Sequence, residues 1–321
     1  MKRRKAFTVF SNKKIIILII LVAIIVSGFL LLSFLLQTQE VKFSFKAAII
    51  DQLGKDFPNS KFKETVISLL ENAGFNVSYH RSEDITVKFY KGLAKYNYGL
   101  IILRTHSALR EGETIVDLFT SELFREDKYV SEQDNGLLTR GNYSWKPGKF
   151  YFAITPEFIE NLEGYFPKSI VIAMGCWSLK PECEEMAGAF IKKGAKVYIG
   201  WNDAISMQHA DNSTVRLLRY LTNNNMTIDD AISECNKFHD SELMYYYSKL
   251  SFYPHTSEIG EYKLGDIVSN ASLLNTFHFV AQTCLASKKK TPTSRLVLYS
   301  YFFLRPWNAN HHIHMEHHRN N

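Results

Sequence analysis

The segments SIVIAMGCWS (residues 169–178) and LIILRTHSAL (residues 100–109) decide the fold of this 321-residue chain. Each is an aliphatic run that ends at a residue with reactive chemistry, Cys176 in the first and His106 in the second. Short, unbroken apolar runs bounded by turn residues are typical of strands buried on both faces of a parallel sheet. The two segments therefore predict two buried strands, each followed directly by a reactive side chain.

Strand-like and helix-like patterns alternate around these two segments. The predicted strands cover residues 45–50, 75–79, 98–103, 169–174 and 196–201, and the predicted helices cover residues 60–73, 85–95 and 182–193. Strands that alternate with helices at this rhythm are typical of a parallel sheet covered on both faces. The predicted fold class is α/β, with a doubly wound, mostly parallel sheet and helices on both faces.

The segment between His106 and Cys176 has turn signals at residues 111–112, 134–136 and 147–148. Residues 149–154 (KFYFAI) then predict a further strand, and Thr155-Pro156 predicts a helix start with an N-cap and a proline in favoured positions.

The order of His106 and Cys176 along the chain points to nucleophilic catalysis. In open α/β sheets the functional crevice lies beyond the carboxyl ends of the strands. If the two strands are neighbours, thiol and imidazole meet there, which is the minimum for a cysteine nucleophile. A lone cysteine or histidine is more often structural, so the hypothesis depends on their joint placement. Gly175 fits a sharp turn that lets backbone approach a substrate.

Other sites of the same fold class fit less well. A dinucleotide site needs G-x-G-x-x-G after the first strand, and residues 51–56 (DQLGKD) lack it. An α/β-hydrolase or a glutamine amidotransferase places its nucleophile in a G-x-[SC]-x-G turn with its histidine later in the chain. Position 178 is Ser rather than Gly. His209 does follow Cys176, but it lies in a helix-like stretch, so His106 is the preferred partner.

Residues 100–109, residues 169–178 and the run AGAFIKKGAKVYIGW (residues 187–201) resemble the caspase-like cysteine peptidases. This superfamily (clan CD) includes caspases, gingipains, clostripain, legumain, separase and the CHAT domains, and the gingipain and CHAT types are the most similar. The resemblance covers roughly residues 45–206. It implies a caspase-haemoglobinase-like sheet, a hairpin insertion between His106 and Cys176, and those two residues as the catalytic dyad.

The same resemblance implies further roles. The backbone amides of Ser107 and Cys176 would bind the oxyanion, and the Trp201-Asn202-Asp203 segment would contact substrate, with Asp203 placed for a basic side chain. A solvated loop is the preferred explanation for Asp203. The chain departs from the family where Ser107 replaces the usual glycine after the histidine, and where Trp177 and Ser178 replace small residues.

The 22 uncharged residues from 15 to 36 (IIILIILVAIIVSGFLLLSFLL) predict a transmembrane helix. At 1.5 Å per residue they extend about 33 Å, enough for a hydrocarbon layer of about 30 Å. The run is too long for a signal-peptide core and ends without a small-residue cleavage site. Six Lys and Arg residues precede it, so the N-terminus is predicted to be cytoplasmic and the domain extracytoplasmic.

The predicted organisation is a basic tail (1–14), an anchor (15–36), a caspase-like peptidase domain (37–285) and a C-terminal extension (286–321). The net charge of +6 equals that of the basic tail, so it indicates topology rather than nucleic-acid binding.

Four cysteines are too few for a disulfide framework, although two of Cys183, Cys235 and Cys284 could form a bridge. Five N-x-S/T sequons fit an exposed extracytoplasmic domain; they begin at Asn76, Asn142, Asn212, Asn225 and Asn270.

The C-terminal extension contains an apolar run, residues 295–304 (RLVLYSYFFL), which is too short to span a membrane. Five histidines follow, at 311, 312, 314, 317 and 318, with spacings that can hold a transition metal weakly. We expect no metal or other cofactor in the chemistry.

The sequence predicts a membrane-anchored cysteine endopeptidase that acts on peptides or proteins through a thioester acyl-enzyme. The alternative from another class is a catalytically inactive caspase-like module that binds a protein partner at the membrane surface. A third hypothesis is a membrane-bound hydrolase that acts on a non-peptide ester or amide.

Overall fold

The computed structural model describes residues 19–23, 26–28 and 43–265 of the chain. Most of the predicted transmembrane segment and all of the C-terminal extension lie outside these residues, as do Cys284 and Asn270. A search of the described residues finds no helix with the length and apolar character that a membrane crossing requires.

A six-stranded sheet forms the centre of the domain, in the order β2-β1-β3-β8-β9-β10. Five strands are parallel, and only the edge strand β10 runs antiparallel, beside β9. The strands are β1 (Lys46–Asp51), β2 (Asn76–His80), β3 (Leu100–Arg104), β8 (Ile170–Ala173), β9 (Val197–Trp201) and β10 (Leu250–Tyr253). The prediction of an α/β fold with a mostly parallel sheet is confirmed.

A second, antiparallel sheet of four strands follows β3, in the order β4-β5-β7-β6. Its strands are β4 (Ser107–Leu109), β5 (Val116–Leu123), β6 (Leu138–Asn142) and β7 (Phe150–Ile154). Of these the sequence analysis predicted only β7. The β5 segment VDLFTSEL lacks a regular apolar alternation because Asp117 and Thr120 are buried with the apolar residues.

Helices cover both faces of the central sheet. They are α1 (Ser60–Asn72), α2 (Val87–Gly92), α3 (Val130–Asp134), α4 (Pro156–Glu160), α5 (Glu185–Lys192), α6 (Met207–Thr222), α7 (Ile228–Cys235) and α8 (Ser257–Gly260). Residues of α1, α6 and α7 form one core with Ile49 and Ile102, and residues of α2, α4 and α5 form the other with Ile50 and Leu103. This alternation explains why the inner strands β1, β3, β8 and β9 are apolar along nearly their whole length.

Local signals placed the predicted elements to within a few residues. Thr155 accepts a hydrogen bond from the amide of Phe158 and caps α4, with Pro156 at its first position, as predicted.

Within the described residues, Cys183 and Cys235 are buried free thiols, so they do not form a bridge with each other. The sequon asparagines at 76, 142, 212 and 225 are all exposed.

Candidate active site

The site lies where β3 and β8 end side by side. These strands are parallel neighbours, with Leu103 opposite Ala173, and the amide of Met174 extends the ladder by donating to the carbonyl of Leu103. His106 follows the end of β3 by two residues, and Cys176 follows the end of β8 by three. The condition set by the sequence analysis, that the two strands be neighbours, is therefore met.

The two loops that follow these strands are in direct contact. The Ser107 hydroxyl donates to the carbonyl of Cys176 with an Oγ–O distance of 2.6 Å. A Cβ atom added to Gly175 would lie 2.1 Å from Ser107 Oγ and 2.6 Å from the carbonyl oxygen of Thr105. Glycine is therefore required at 175 by the close approach of the two chains, which agrees with the predicted turn.

Aromatic rings enclose the imidazole of His106. The rings of Phe119, Tyr143 and Trp145 meet it edge to face, at centroid distances of 4.6, 5.3 and 5.2 Å. Phe119 lies in β5, and Tyr143 and Trp145 lie in the turn between β6 and β7. The enclosure fixes the orientation of the ring and removes water from its faces.

Gln52, buried directly after β1, fixes the backbone of His106. Its side-chain oxygen accepts from the His106 amide at 3.0 Å, and its side-chain nitrogen donates to the hydroxyl of Tyr143 at 2.9 Å. Tyr143 in turn donates to the carbonyl of Thr120 at 2.7 Å. One buried amide therefore joins the backbone of His106 to a ring that packs against its imidazole. Gln52 was not predicted to belong to the site. The signal that could have identified it is its position directly after the first strand, at the edge where the functional crevice is expected.

Cys176 is partly buried, and its sulfur contacts the segment after β9. Sγ lies 3.4 Å from the amide nitrogen of Ile205 and 3.6 Å from its carbonyl oxygen. Trp177, the next residue, has a φ of +55°, a left-handed conformation that is uncommon for a bulky side chain. Such outliers cluster at functional sites, where the surrounding structure imposes them.

Asp203 holds Trp177 in this conformation. The carboxylate of Asp203 accepts from the Trp177 indole at 3.0 Å and from the Ala204 amide at 2.7 Å, and its carbonyl accepts from the Trp177 amide. Asp203 is exposed, so a substrate can still reach its carboxylate.

Trp201 is only 2% exposed and packs in the core near His209, so its indole lies away from the surface of the site.

Both candidate catalytic groups are uncharged at neutral pH. Burial lowers the pKa of His106 to about 4. Burial also raises the pKa of the Cys176 thiol above its usual value, and the amides of Ile205 and Cys176 only partly oppose this. Among residues 43–265, no hydrogen bond joins the His106 imidazole to the Cys176 thiol. The pair is therefore a neutral thiol and a neutral imidazole, and not a preformed ion pair.

A buried ionic cluster lies behind the histidine loop. The Arg104 guanidinium, 1% exposed, donates from Nε and Nη2 to Asp211 at 2.8 and 2.9 Å, and from Nη1 to Asp51 at 2.7 Å. It thereby joins the carboxyl ends of β1 and β3 to α6, two residues before His106. The sequence analysis did not identify these residues, because nothing local to Arg104 indicates a partner more than 100 positions away.

No family model matches this chain, and no curated protein matches it. The site is therefore interpreted from its own geometry. Within the part of the chain that the structure describes, no group of three or more His, Cys, Asp or Glu side chains is arranged to hold a metal ion. The histidines at 311–318 lie outside that part, so weak metal binding by them stays a prediction.

Proposed function

We propose that this chain is a membrane-anchored cysteine endopeptidase with a caspase-haemoglobinase-like domain, in which His106 and Cys176 form the catalytic dyad. The observation that supports this most strongly is the parallel pairing of β3 and β8, which brings both residues to the same edge of the sheet. The contact between Ser107 and the Cys176 carbonyl adds support, because it fixes the two loops against each other.

In the proposed reaction, Cys176 Sγ attacks the carbonyl carbon of the scissile peptide bond while its proton passes to His106. The C–N bond breaks as His106 gives that proton to the leaving amine, which leaves a thioester on Cys176. A water molecule then attacks the thioester, the C–S bond breaks, and the second product leaves as a carboxylic acid with the thiol restored.

His106 would act as a proton acceptor rather than as a standing positive charge. Its pKa of about 4 keeps the imidazole neutral at physiological pH, so a ring nitrogen has a lone pair available. Because burial disfavours both the thiolate and the imidazolium, proton transfer would accompany attack on the carbonyl rather than precede it.

The backbone amides of Ser107 and Cys176 are the proposed oxyanion donors. The amide of Phe119 donates to the His106 carbonyl, which makes Ser107 and Leu118 a non-hydrogen-bonded pair in the β4–β5 ladder. The Ser107 amide therefore points away from β5 and is not used by that ladder. A donor of this kind typically contributes a factor of about 10²–10³ to the rate.

The proposed location follows from the sequence. A single span over residues 15–36 would hold the N-terminus in the cytoplasm and the domain outside, where it would meet peptide or protein substrates. The exposure of four sequon asparagines supports an extracytoplasmic domain.

A second candidate is a catalytically inactive caspase-like module that binds a protein partner at the membrane surface. Two observations favour it. The dyad has no hydrogen bond between its side chains in the described domain, and Ser107 occupies the position of the usual family glycine.

The deciding experiment is labelling of the full chain, in detergent, with a library of peptidyl acyloxymethyl ketones. Wild type, Cys176→Ala and His106→Ala are compared, and mass spectrometry identifies the modified residue. We expect labelling at Cys176 in wild type only. Cys235→Ala and His255→Ala serve as matched controls and should label as wild type does.

If Cys176 stays unmodified across the library while other thiols react as readily, catalysis is rejected in favour of the binding module. If ester or non-peptide amide substrates are turned over by Cys176 and peptides are not, the chain is a hydrolase of another class.

A further inference from the structure

The segment Leu243–Tyr247, here called the apolar loop, exposes large apolar side chains beside the candidate nucleophile. Leu243 is 88% exposed, Tyr247 79% and Met244 78%, the highest values for large apolar residues in the described part of the chain. The sequence LMYYY carries no charge. Exposed apolar clusters of this kind usually mark a binding surface.

The apolar loop is fixed to the segment that holds the Cys176 sulfur. The hydroxyl of Ser248 donates to the carbonyl of Ala204, the residue before Ile205, whose backbone contacts Sγ. The backbone of Lys249 exchanges two hydrogen bonds with Asn202, at 3.0 and 2.8 Å. The apolar loop is therefore part of the same hydrogen-bonded framework as the segment that contacts the sulfur.

Residues on both sides of the apolar loop contact this segment, because the Asp240 carboxylate accepts from the amide of Ser206, the residue after Ile205. The apolar loop is therefore held at both ends against the backbone that contacts the Cys176 sulfur.

The charges around the apolar loop select against acidic ligands. Asp240, which accepts from the amides of Ser206 and Glu242, lies at its start, and Glu242 directly precedes it. Asp203 adds a third carboxylate near the site, since its carbonyl accepts from the amide of Trp177, the residue after Cys176. Lys249 is the nearest cation along the chain. A ligand at this surface would be apolar, with neutral or basic groups beside the apolar ones.

The topology favours a polypeptide over a bilayer as the occupant. β1 begins at Lys46, at the amino ends of the parallel strands, and the predicted anchor precedes it in the chain. The apolar loop lies between α7 and β10, and β10 begins at Leu250, opposite Trp201 at the carboxyl end of β9. The loop is therefore at the other edge of the sheet, and the six residues of β1 separate the two edges by about 17 Å.

We infer that the apolar loop binds large apolar side chains of the polypeptide substrate next to the scissile bond, so that the preferred substrates are apolar, non-acidic segments. This inference depends on the proposed peptidase function. It assigns the specificity of the site to Leu243 and Met244, and not to the exposed carboxylate of Asp203.

The test measures labelling rates of Cys176 in the full chain with four acyloxymethyl ketones that differ only in one side chain, Leu, Lys, Asp or Gly, beside the reactive group. We expect the Leu probe to be fastest and the Asp probe slowest. The double variant Leu243→Ser/Met244→Ser should slow the Leu probe about tenfold, the effect of roughly one apolar side chain left in water. The Gly probe should be unaffected.

Leu123→Ser/Val130→Ser, which removes two other exposed apolar residues, is the matched control and should leave all four rates unchanged. If Cys176 reacts with the Gly probe but the Leu rate does not respond to the loop variant, the inference fails and the peptidase proposal stands. If no probe labels Cys176, the peptidase proposal fails.

Two further results would overturn the inference. Quenching of a Leu243→Trp variant by brominated lipid in nanodiscs would assign the apolar loop to the bilayer. A dimer in sedimentation that dissociates in the Ser double variant would assign it to a second copy of the chain.

Discussion

The hydroxyl of Ser107 lies 2.6 Å from the carbonyl oxygen of Cys176, and this hydrogen bond joins the residue after the candidate base to the candidate nucleophile. Ser107 is fully buried. Ser107 stands where the caspase-like peptidases, which this chain resembles, usually have a glycine. It has a structural role of its own, because a glycine here would leave the Cys176 carbonyl without this donor.

Removing the Ser107 hydroxyl should destabilise the domain and loosen the site. Loss of the donor leaves a buried carbonyl unsatisfied, so Ser107→Ala should lower the free energy of unfolding by about 1–3 kcal/mol. Chemical denaturation measures this, and probe labelling of Cys176 should slow in parallel. Ser68→Ala, at an exposed position of α1, should have no effect on either; equal effects of the two variants would contradict the assigned role.

The two glycines 175 and 188 should respond oppositely to alanine. Gly175→Ala places a Cβ against backbone at 2.6 Å, so the loops must separate at a cost of about 1–3 kcal/mol. Gly188 lies within α5, and nothing lies inside 4 Å of a Cβ added there. Because alanine favours the helix more than glycine does, Gly188→Ala should stabilise the domain by about 0.5–1 kcal/mol. Thermal unfolding of the two variants checks the prediction, and a stable Gly175→Ala protein that still labels would refute the close approach.

Breaking the buried ionic cluster should be costly. Asp211→Ala leaves the Arg104 guanidinium buried with one carboxylate fewer. Such a change typically lowers the free energy of unfolding by about 3–5 kcal/mol. Asp127→Ala removes an exposed partner of Arg125 and should change stability by less than about 0.5 kcal/mol. Urea denaturation distinguishes the two, and similar midpoints would show that the cluster adds little.

Alkylation of Cys176 by iodoacetamide should accelerate steadily from pH 6 to pH 9. The thiolate is the reactive form, and burial raises the pKa of the thiol above its usual value, so no plateau is expected in this range. His106→Ala should leave this profile unchanged, since the imidazole is neutral throughout. A plateau near neutral pH that disappears in His106→Ala would instead indicate a thiolate–imidazolium pair. The rate is followed by mass spectrometry of the Cys176 peptide.

Part of the domain's stability should be lost on acidification because of His106. Its pKa is about 4 when folded and about 6.5 when unfolded, so the unfolded state binds the extra proton between these values. The free energy of unfolding should therefore fall as the pH drops through that window, by up to about 3 kcal/mol from this residue. Denaturation at pH 7 and pH 4.5 should show a smaller decrease for His106→Gln than for wild type; an equal decrease would contradict the low pKa.

The sequence by itself determined five of the six strands of the central sheet and the positions of His106 and Cys176 after two of them, but not that these two strands are neighbours. Unbroken apolar runs such as residues 169–174 indicate strands buried on both faces, and His106 and Cys176 follow such strands directly. These signals are local, because strand propensity, burial pattern and turn residues are all present within a short segment. For the same reason the N-cap at Thr155 was predictable from its own dipeptide.

Only the tertiary structure decided what surrounds the dyad. Gln52 and Tyr143 are 91 positions apart, Arg104 and Asp211 are 107 apart, and Ser107 and Cys176 are 69 apart. The neutral state of both candidate catalytic groups and the position of the apolar loop against the segment that contacts the thiol also depend on long-range packing. Burial and hydrogen bonding between distant segments set these properties, and no pattern within either segment encodes its partner.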